Sequence, residues 1–251
     1  MQQPLDSVWT RQPRASKSSP TLSRGQIVRA ALELLDAEGL DALSMRRLGA
    51  RLGAGATSLY WHVAHKDEVL ELVMDEVYGE VPLPDPETVG WQDAAVRFAY
   101  GLREALFKHP WAIPLISTRP SIGPNAMRLS TRMAAVFEQA GFTGMSLDYA
   151  SSALLSYVLG AIAPEIAWRT TIDRSGLSSE ELAAAMHQTV RQAARDHPEL
   201  LERYERYTGH DVDVTRAISF DFGLTCLLDG MKVRLEQDAP ATPEARRTRR
   251  T

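Results

Sequence analysis

The chain has little of what a disulfide-stabilised, secreted or membrane-spanning protein needs. Cys226 is its one cysteine among 251 residues, so no disulfide can form within the chain, as is typical of the reducing cytosol. The amino-terminal residues are rich in Gln, Pro and Ser and lack the apolar segment of a secretory signal. The longest nearly apolar stretch, residues 153–163, is too short to span a bilayer. We therefore expect a soluble cytoplasmic protein.

Strand patterns and catalytic motifs are also missing. No window alternates apolar and polar residues or is rich in β-branched residues, so we expect an all-α fold. The chain has no His-Glu-x-x-His pair, nucleophile elbow or phosphate-binding loop. A catalytic or metal site could use the side chains of His187, Asp196 and His197. The simpler interpretation of the His-Pro pair at 197–198 is that it marks a break between helices. An enzyme is thus the disfavoured alternative, and we expect no metal and no cofactor.

Charge is distributed unevenly along a chain whose formal net charge is −4. Residues 11–66 carry nine lysines and arginines against four acids, whereas residues 67–237 carry fifteen against twenty-five. This asymmetry confines attraction for phosphate to the amino-terminal part of the chain. Residues 1–20 hold three prolines with scattered Arg and Ser and should be disordered, either as a basic arm that reaches DNA or as a plain tail.

A run of short helices is predicted at the amino-terminal end. Ser23 opens a first helix with a capping box and Gly39 ends it, while Ser44 caps a second helix that stops at Gly53. A Gly-Ala-Gly turn leads to a third short helix, and a fourth covers residues 66–78.

The third helix carries a surface that a protein core does not explain. Leu59 and Val63 lie four residues apart and supply its inward anchor, while its other positions bear hydroxyl, phenol, indole and imidazole groups. Such a helix suits the DNA major groove, with the second helix bracing it against the backbone. The pattern therefore predicts a helix-turn-helix, with the competing interpretation that Tyr60 and Trp61 are partly core.

Residues 23–78 resemble the DNA-binding head of the tetracycline-repressor (TetR) family. The similarity is closest at residues 30–39, Ala-Ala-Leu-Glu-Leu-Leu-Asp-Ala-Glu-Gly, and at residues 59–63, Leu-Tyr-Trp-His-Val, which is close to a signature of the tetracycline repressors' own branch. Weaker similarity continues through residues 91–93, 118–120, 139–142 and 220–224. The resemblance covers nearly the whole chain and implies a three-helix helix-turn-helix head followed by a larger helical ligand-binding and dimerisation body.

The resemblance implies DNA contacts at nine positions. Arg46 and Arg47 match positions near the DNA at the start of the bracing helix, and Lys66 matches a lysine that contacts the phosphate backbone. The positions on the recognition helix are Ala56, Thr57, Ser58, Tyr60, Trp61 and His62. Ala56 stands where the tetracycline repressors have a glutamine able to read a base edge, so their operator sequence does not transfer. His65 belongs to a pair that replaces more basic and amide-bearing residues, which should weaken the cap of the fourth helix.

The body departs further from the tetracycline repressors. Where they use a histidine and an asparagine to bind a magnesium–drug chelate, this chain has Leu115 and Phe98, which argues against recognition of that chelate. The pocket that the resemblance implies is apolar with one cation and suits a hydrophobic ligand bearing an acidic or carbonyl group. Its predicted lining is Phe98, Leu102, Trp111, Leu115, Arg119, Met127, Phe137 and Trp168. For each of these residues, an ordinary core position is the competing interpretation.

Prolines at 82, 84 and 86 mark a linker between head and body. The expected division is a disordered arm (1–20), a helix-turn-helix domain (21–80), a helical ligand-binding and dimerisation domain (88–237) and a disordered tail (238–251). In the family, the helices that correspond to residues 147–169 and 215–237 build a dimer interface.

We therefore expect a ligand-responsive transcriptional repressor. It should bind palindromic, double-stranded operator DNA as a homodimer and be released by a small, largely apolar molecule. The alternatives are a regulator of the same family that takes no small-molecule ligand, or an activator.

Overall fold

The computed structural model of the chain describes residues 7–10, 22–82, 85–116, 118–119, 121–206 and 211–238. Within these ranges every regular element is a helix, in agreement with the all-α prediction. By its contacts the chain divides into two compact units, residues 1–158 and residues 159–251.

The helices of the first unit are α1 (Arg24–Glu38), α2 (Met45–Arg51), α3 (Ala56–Leu59), α4 (Lys66–Glu80), α5 (Pro86–Val89), α6 (Trp91–Lys108), α7 (Ile113–Ile116) and α8 (Pro124–Ala140). Two 3-10 turns, Leu40–Ala42 and Pro110–Ala112, precede α2 and α7. A long helix, α9 (Met145–Ser175), begins in this unit and continues into the second. The second unit also contains α10 (Ser179–Ala193), α11 (Pro198–Glu205) and α12 (Val212–Asp238).

The first two helices begin where the sequence predicts. Ser23 and Gln26 form a complete capping box, because each side chain accepts a hydrogen bond from the other residue's backbone N–H. Gly39, with φ at 77°, follows the end of α1. Ser44 caps α2, which ends at Arg51 rather than at the predicted residue 53.

Helix α4 joins α1 to the rest of the first unit, because it contacts α1, α6 and α8. Pro82 follows the end of α4 and packs so closely on α6 that a Cβ added to Gly101 would lie 2.1 Å from its Cδ. Pro82 thus follows the end of α4 within the predicted linker, but helices α1–α8 belong to one compact unit. The predicted division at residues 80–88 does not coincide with the division by contacts, which falls at residue 158.

Helix α9 is long and apolar enough to cross a membrane when judged by length and composition alone. It has 31 residues, and an 18-residue window within it reaches a mean hydropathy of 1.4. The sequence-based assessment of a membrane span considered only residues 153–163, although it expected a helix over residues 147–169. Because the core helix of a soluble protein meets the same criterion, the observation is weak evidence for a membrane span.

The second unit contains polar contacts between its part of α9 and α12. Arg169 lies 3.3 Å from Glu165 and 3.9 Å from Asp213, measured between nitrogen and oxygen. Arg216 lies over the ring of Trp168, 5.3 Å from its centroid. Burial lowers the pKa of Arg216, and the charges of Glu165 and Asp213 oppose that shift.

The amino-terminal arm is described only at residues 7–10. The sequence predicted residues 1–20 to be disordered, but residues 7–10 form a hydrogen-bonded turn in which Ser7 and Val8 are buried. The predictions for residues 1–6, 11–20 and 239–251 lie outside the described residues.

Candidate DNA interface and effector-binding region

The predicted recognition helix is shorter than expected, because α3 ends at Leu59 and residues 60–62 form a turn. Leu59 and Val63 are both fully buried, as the predicted inward anchor requires, and Leu48 of α2 is fully buried as well. Gly53, with φ at 61°, lies in the turn that reverses the chain between α2 and α3. Two short helices joined by a tight turn are the arrangement of a helix-turn-helix.

The opposite surface of this segment presents polar and aromatic side chains to solvent. Trp61 is 72% exposed and Tyr60 is 45% exposed. Ser58 is also exposed, and His62 is half-buried. Trp61 therefore does not occupy a core position, which was the competing interpretation. Ala56 and Thr57 begin α3, and their side chains lie outside the described residues.

The two predicted arginines of α2 are in different environments. Arg46 is exposed. Arg47 instead forms an ion pair with Glu38 of α1, with a nitrogen–oxygen distance of 2.7 Å, and both side chains are nearly half exposed. A second pair, Arg51 with Glu33 at 2.9 Å, also joins α2 to α1. Contact between Arg47 and a DNA phosphate would require its guanidinium to leave Glu38 or to share it.

Lys66 and His65 stabilise the start of α4. The Lys66 ammonium donates a hydrogen bond to the carbonyl oxygen of Leu40 at 3.3 Å. His65 Nδ1 accepts from the backbone N–H of Glu68 at 3.4 Å, and the Glu68 carboxylate accepts from the N–H of Ala64 at 2.6 Å. The imidazole nitrogen of His65 thus caps α4 in place of an amide oxygen, through a long hydrogen bond.

One face of α4 carries polar groups that are buried against the body. Asp75 is 4% exposed and accepts hydrogen bonds from the backbone N–H groups of Asn125 and Ala126 in the first turn of α8, at 3.2 and 2.9 Å. A Cβ added to Gly123 would lie 2.2 Å from Asp75 Oδ1, so glycine is needed for this approach. The carboxylate thereby satisfies two unpaired donors and complements the dipole of α8.

Two further contacts extend this connection along α4. The hydroxyl of Tyr78 lies 2.8 Å from that of Ser121, and burial raises the Tyr78 pKa. Arg119 donates to Asp67 at 2.6 Å. A displacement of the body near residues 119–126 would therefore act directly on α4.

A buried histidine joins α1, α4 and the 3-10 turn before α7. His109 is fully buried, with Nδ1 2.6 Å from Asp36 and Nε2 3.2 Å from Glu80. The indole N–H of Trp111 donates to the same Asp36 oxygen at 2.7 Å. Trp111 therefore contacts the helix-turn-helix head, which its prediction as a pocket residue did not include.

The Glu80 carboxylate also forms an ion pair with Lys108, whose ammonium nitrogen lies 2.8 Å from it. Burial would raise the Glu80 pKa, but the hydrogen bond from Lys108 and the charge and hydrogen bond of His109 together hold it below its ordinary value.

A small cavity lies beside α4, between that helix and residues 115–126. Its volume is about 10 Å³, room for about one water molecule. Of the eight predicted pocket residues, Leu115 and Arg119 line it. The sequence did not identify its other walls, which include Trp9, Glu71, Asp75 and Tyr78. Glu68, Glu71, Asp75 and Tyr78 recur at helical spacing, and this periodicity was the available signal that α4 has a buried polar face.

The remaining predicted pocket residues do not converge on this cavity. Phe98, Leu102 and Phe137 are buried, and Phe137 packs with Trp91 and Phe142 at ring-centroid distances of 6.3 and 5.6 Å. Met127 is 46% exposed. Trp168 belongs to the second unit. In this conformation Phe98, Leu102 and Phe137 occupy the core positions that the competing interpretation gave them.

The helical fold and the exposed α3 surface define the chain as a helix-turn-helix DNA-binding regulator. A family model described as "Bacterial regulatory proteins, tetR family" matches residues 27–73, and one described as "Tetracyclin repressor-like, C-terminal domain" matches residues 83–235. The chain belongs to the TetR family.

Curated relatives agree with this assignment over nearly their whole length. The chain is 42% identical over 225 residues to an HTH-type transcriptional regulator of Saccharopolyspora erythraea, covering 90% of this chain and 91% of that protein. It is 32% identical to the HTH-type transcriptional repressor DrrR1 of Streptomyces coeruleorubidus, covering 93% and 86%. The chain is thus a transcriptional repressor of this family and not an enzyme.

Solved structures show the same architecture. The Streptomyces coelicolor TetR family protein ActR in complex with actinorhodin matches with a TM-score of 0.71 and 31% identity, covering 85% of this chain and 96% of that one. BioQ with its double-stranded DNA operator matches with a TM-score of 0.52 and 28% identity, covering 62% and 93%.

Proposed function

We propose that the chain binds a palindromic operator as a homodimer, reads it with α3, and releases it when a small, largely apolar molecule binds the body. The observation that carries the DNA part is the pairing of two buried anchors, Leu59 and Val63, with the exposed Trp61 next to them. An indole that is 72% exposed beside a helix-turn-helix is available for contact with the DNA backbone. The similarity to BioQ, whose structure contains operator DNA, supports this assignment.

The homodimer is supported by α12. Val214, Ile218 and Phe222 recur every four residues along it and are 55%, 63% and 72% exposed. An apolar stripe of this length on one helix is typical of a surface that a partner covers. A second copy of the chain also meets a physical need, since one short recognition helix reads too few base pairs for useful affinity.

An effector response is supported by ActR, which is structurally similar and contains actinorhodin, and by the direct contacts of residues 119–126 with α4. The magnesium–tetracycline chelate is not the proposed effector, because Leu115 offers no lone pair to a metal. We place the response in the cytoplasm, where the operator is. A regulator of this family without a small-molecule ligand is the second candidate.

The test is operator binding by fluorescence anisotropy, using DNA from immediately upstream of the chain's own gene. Trp61→Ala should weaken binding roughly tenfold or more, because it removes a large contact from the DNA-facing surface. Met127→Ala, which truncates another exposed apolar side chain of the first unit, is the matched control and should bind as the unchanged protein does. Equal affinities for both variants would contradict the assignment of α3.

A further inference from the structure

Residues 7–10, which we call the strap, lie against α4 although they precede the helix-turn-helix head in the chain. Ser7 is 1% exposed and Val8 is 5% exposed. The strap is shaped by its own hydrogen bonds, because the carbonyl oxygen of Ser7 accepts from both the N–H and the hydroxyl of Thr10. It is therefore a folded turn that is packed on the helix.

A buried carboxylate on α4 holds the strap. Glu71 is 8% exposed, and its Oε2 accepts from the Ser7 hydroxyl at 2.6 Å and from the Val8 N–H at 3.1 Å. Hydrogen bonds to an ionised acceptor are shorter and stronger than those between neutral groups. A buried carboxylate that loses such donors pays a large desolvation cost, so Glu71 favours the docked strap.

The strap also forms part of the lining of the cavity beside α4. Trp9 is one of the cavity's walls, together with Met74 and Tyr78 of α4 and Leu115 and Arg119. The cavity volume is about 10 Å³, whereas pockets for small molecules measure roughly 300–1,000 Å³. A molecule of ordinary effector size could not enter this space while Trp9 stays in place.

We propose that the strap is a built-in occupant of the groove between α4 and residues 115–126, and that its release from Glu71 opens the space that an effector takes. The effector part rests on the proposed function, whereas the docking of the strap on Glu71 does not. Release would also remove two hydrogen bonds from α4, the helix that links the head to the body. An effector that binds only the released state would thereby favour that state over the docked one.

The docking is tested on the full chain labelled with 5-fluorotryptophan, which gives one ¹⁹F signal for each of the five tryptophans. Trp9→Phe assigns the strap signal. Glu71→Gln should move that signal toward its position in the denatured chain and shift the docked-to-released ratio roughly tenfold or more, because it removes the charge from the acceptor. The other four indole signals should stay in place and so report an intact fold.

Glu76→Gln is the matched control, because Glu76 is an exposed carboxylate on the same helix. In Glu76→Gln the position of the Trp9 ¹⁹F signal should equal its position in the unchanged protein. Ser7→Ala is the second variant, and it removes only the hydroxyl of the strap. It should also move the Trp9 signal toward its position in the denatured chain, so it tests the docking should Glu71→Gln fail to fold. A Trp9 signal already at the denatured position, or equal shifts in Glu71→Gln and Glu76→Gln, would overturn the proposal.

Opening of the cavity is tested with 1-anilinonaphthalene-8-sulfonate, an apolar anion, titrated into the same folded variants. Trp9→Ala and Glu71→Gln should bind it several-fold more tightly than the unchanged protein, and Glu76→Gln should not. Identical binding by all variants would overturn the role of the strap as an occupant of the groove. No DNA is present in either experiment, so these outcomes are independent of the operator test with Trp61→Ala.

Discussion

At the scale of single residues, Arg47 has two competing partners. Its guanidinium is paired with Glu38 at 2.7 Å, whereas resemblance to the family assigns it to the DNA. A surface ion pair of this kind is worth little, so exchange of the carboxylate for a phosphate is energetically accessible. If Arg47 contacts the DNA as the resemblance implies, Glu38 competes with the operator phosphate for its guanidinium.

We predict that Glu38→Gln tightens operator binding several-fold at low salt, because it frees Arg47 and removes a negative charge near the phosphates. Glu33→Gln is the control, since it makes the same charge change and frees Arg51, for which no DNA contact is predicted. Anisotropy titrations at several salt concentrations provide the comparison. Equal effects of the two substitutions would show that general charge, and not Arg47, is responsible.

Contacts between individual side chains were also the features that the sequence predicted least well. The anchors Leu59 and Val63 were predictable because they follow helical spacing within one short segment. The partners of Arg47 and Trp111 were not, since Asp36 and Glu38 are brought to them only by tertiary packing. Apolar character placed Phe98 and Phe137 inside, but it did not distinguish a core position from a pocket wall.

At the scale of elements, helix caps were predictable because their signals are local. Ser23 and Ser44 cap α1 and α2 as their sequences indicate. The buried face of α4 was harder to recognise, because Glu71 and Asp75 are acidic residues that ordinarily face solvent. Each is buried because it accepts backbone N–H groups of another segment.

The close packing of α4 against the start of α8 is predicted to require glycine at position 123. Gly123→Ala should lower the free energy of unfolding by about 1–3 kcal/mol, because the added Cβ would press on the Asp75 carboxylate. Chemical denaturation measures the change. Gly25→Ala is the control; its Cβ would meet nothing within 4 Å inside α1, so it should be neutral or stabilising. Equal stability of the two variants would contradict the close approach.

The stability that Glu80 provides, through its contacts among α1, α4 and α6, is predicted to depend on pH. The folded-state pKa of Glu80 lies below its ordinary value of 4.5, so its ionised form stabilises the fold above that pH. The contribution should be lost as pH falls below 4.5 and through the folded-state pKa.

Glu80→Gln should therefore destabilise the protein near neutral pH and match the unchanged protein in acid. Glu104→Gln, which alters an exposed carboxylate of α6, should show no such pH-dependent difference. Unfolding free energies measured between pH 3 and 7 provide the check. A Glu80→Gln effect that is constant across this range would contradict the proposed ionic role.

At the scale of the whole molecule, the resemblance at residues 59–63 predicted the class of protein, and the helical periodicity predicted the fold. The division by contacts at residue 158 was not predictable from composition, because Pro82 follows α4 without preventing that helix from packing on α6 and α8. The small cavity beside α4 was likewise not predictable, since Trp9, one of its lining residues, depends on where residues 7–10 dock.

The central claim is that two copies of the chain read one operator, and the most direct test is the mass of the saturated protein–operator complex by sedimentation. We predict two chains for each operator duplex. Phe222→Asp, which places a charge in the exposed apolar stripe of α12, should yield monomers and lose operator affinity. A saturated complex with one chain per duplex, formed as tightly by Phe222→Asp as by the unchanged protein, would contradict the account.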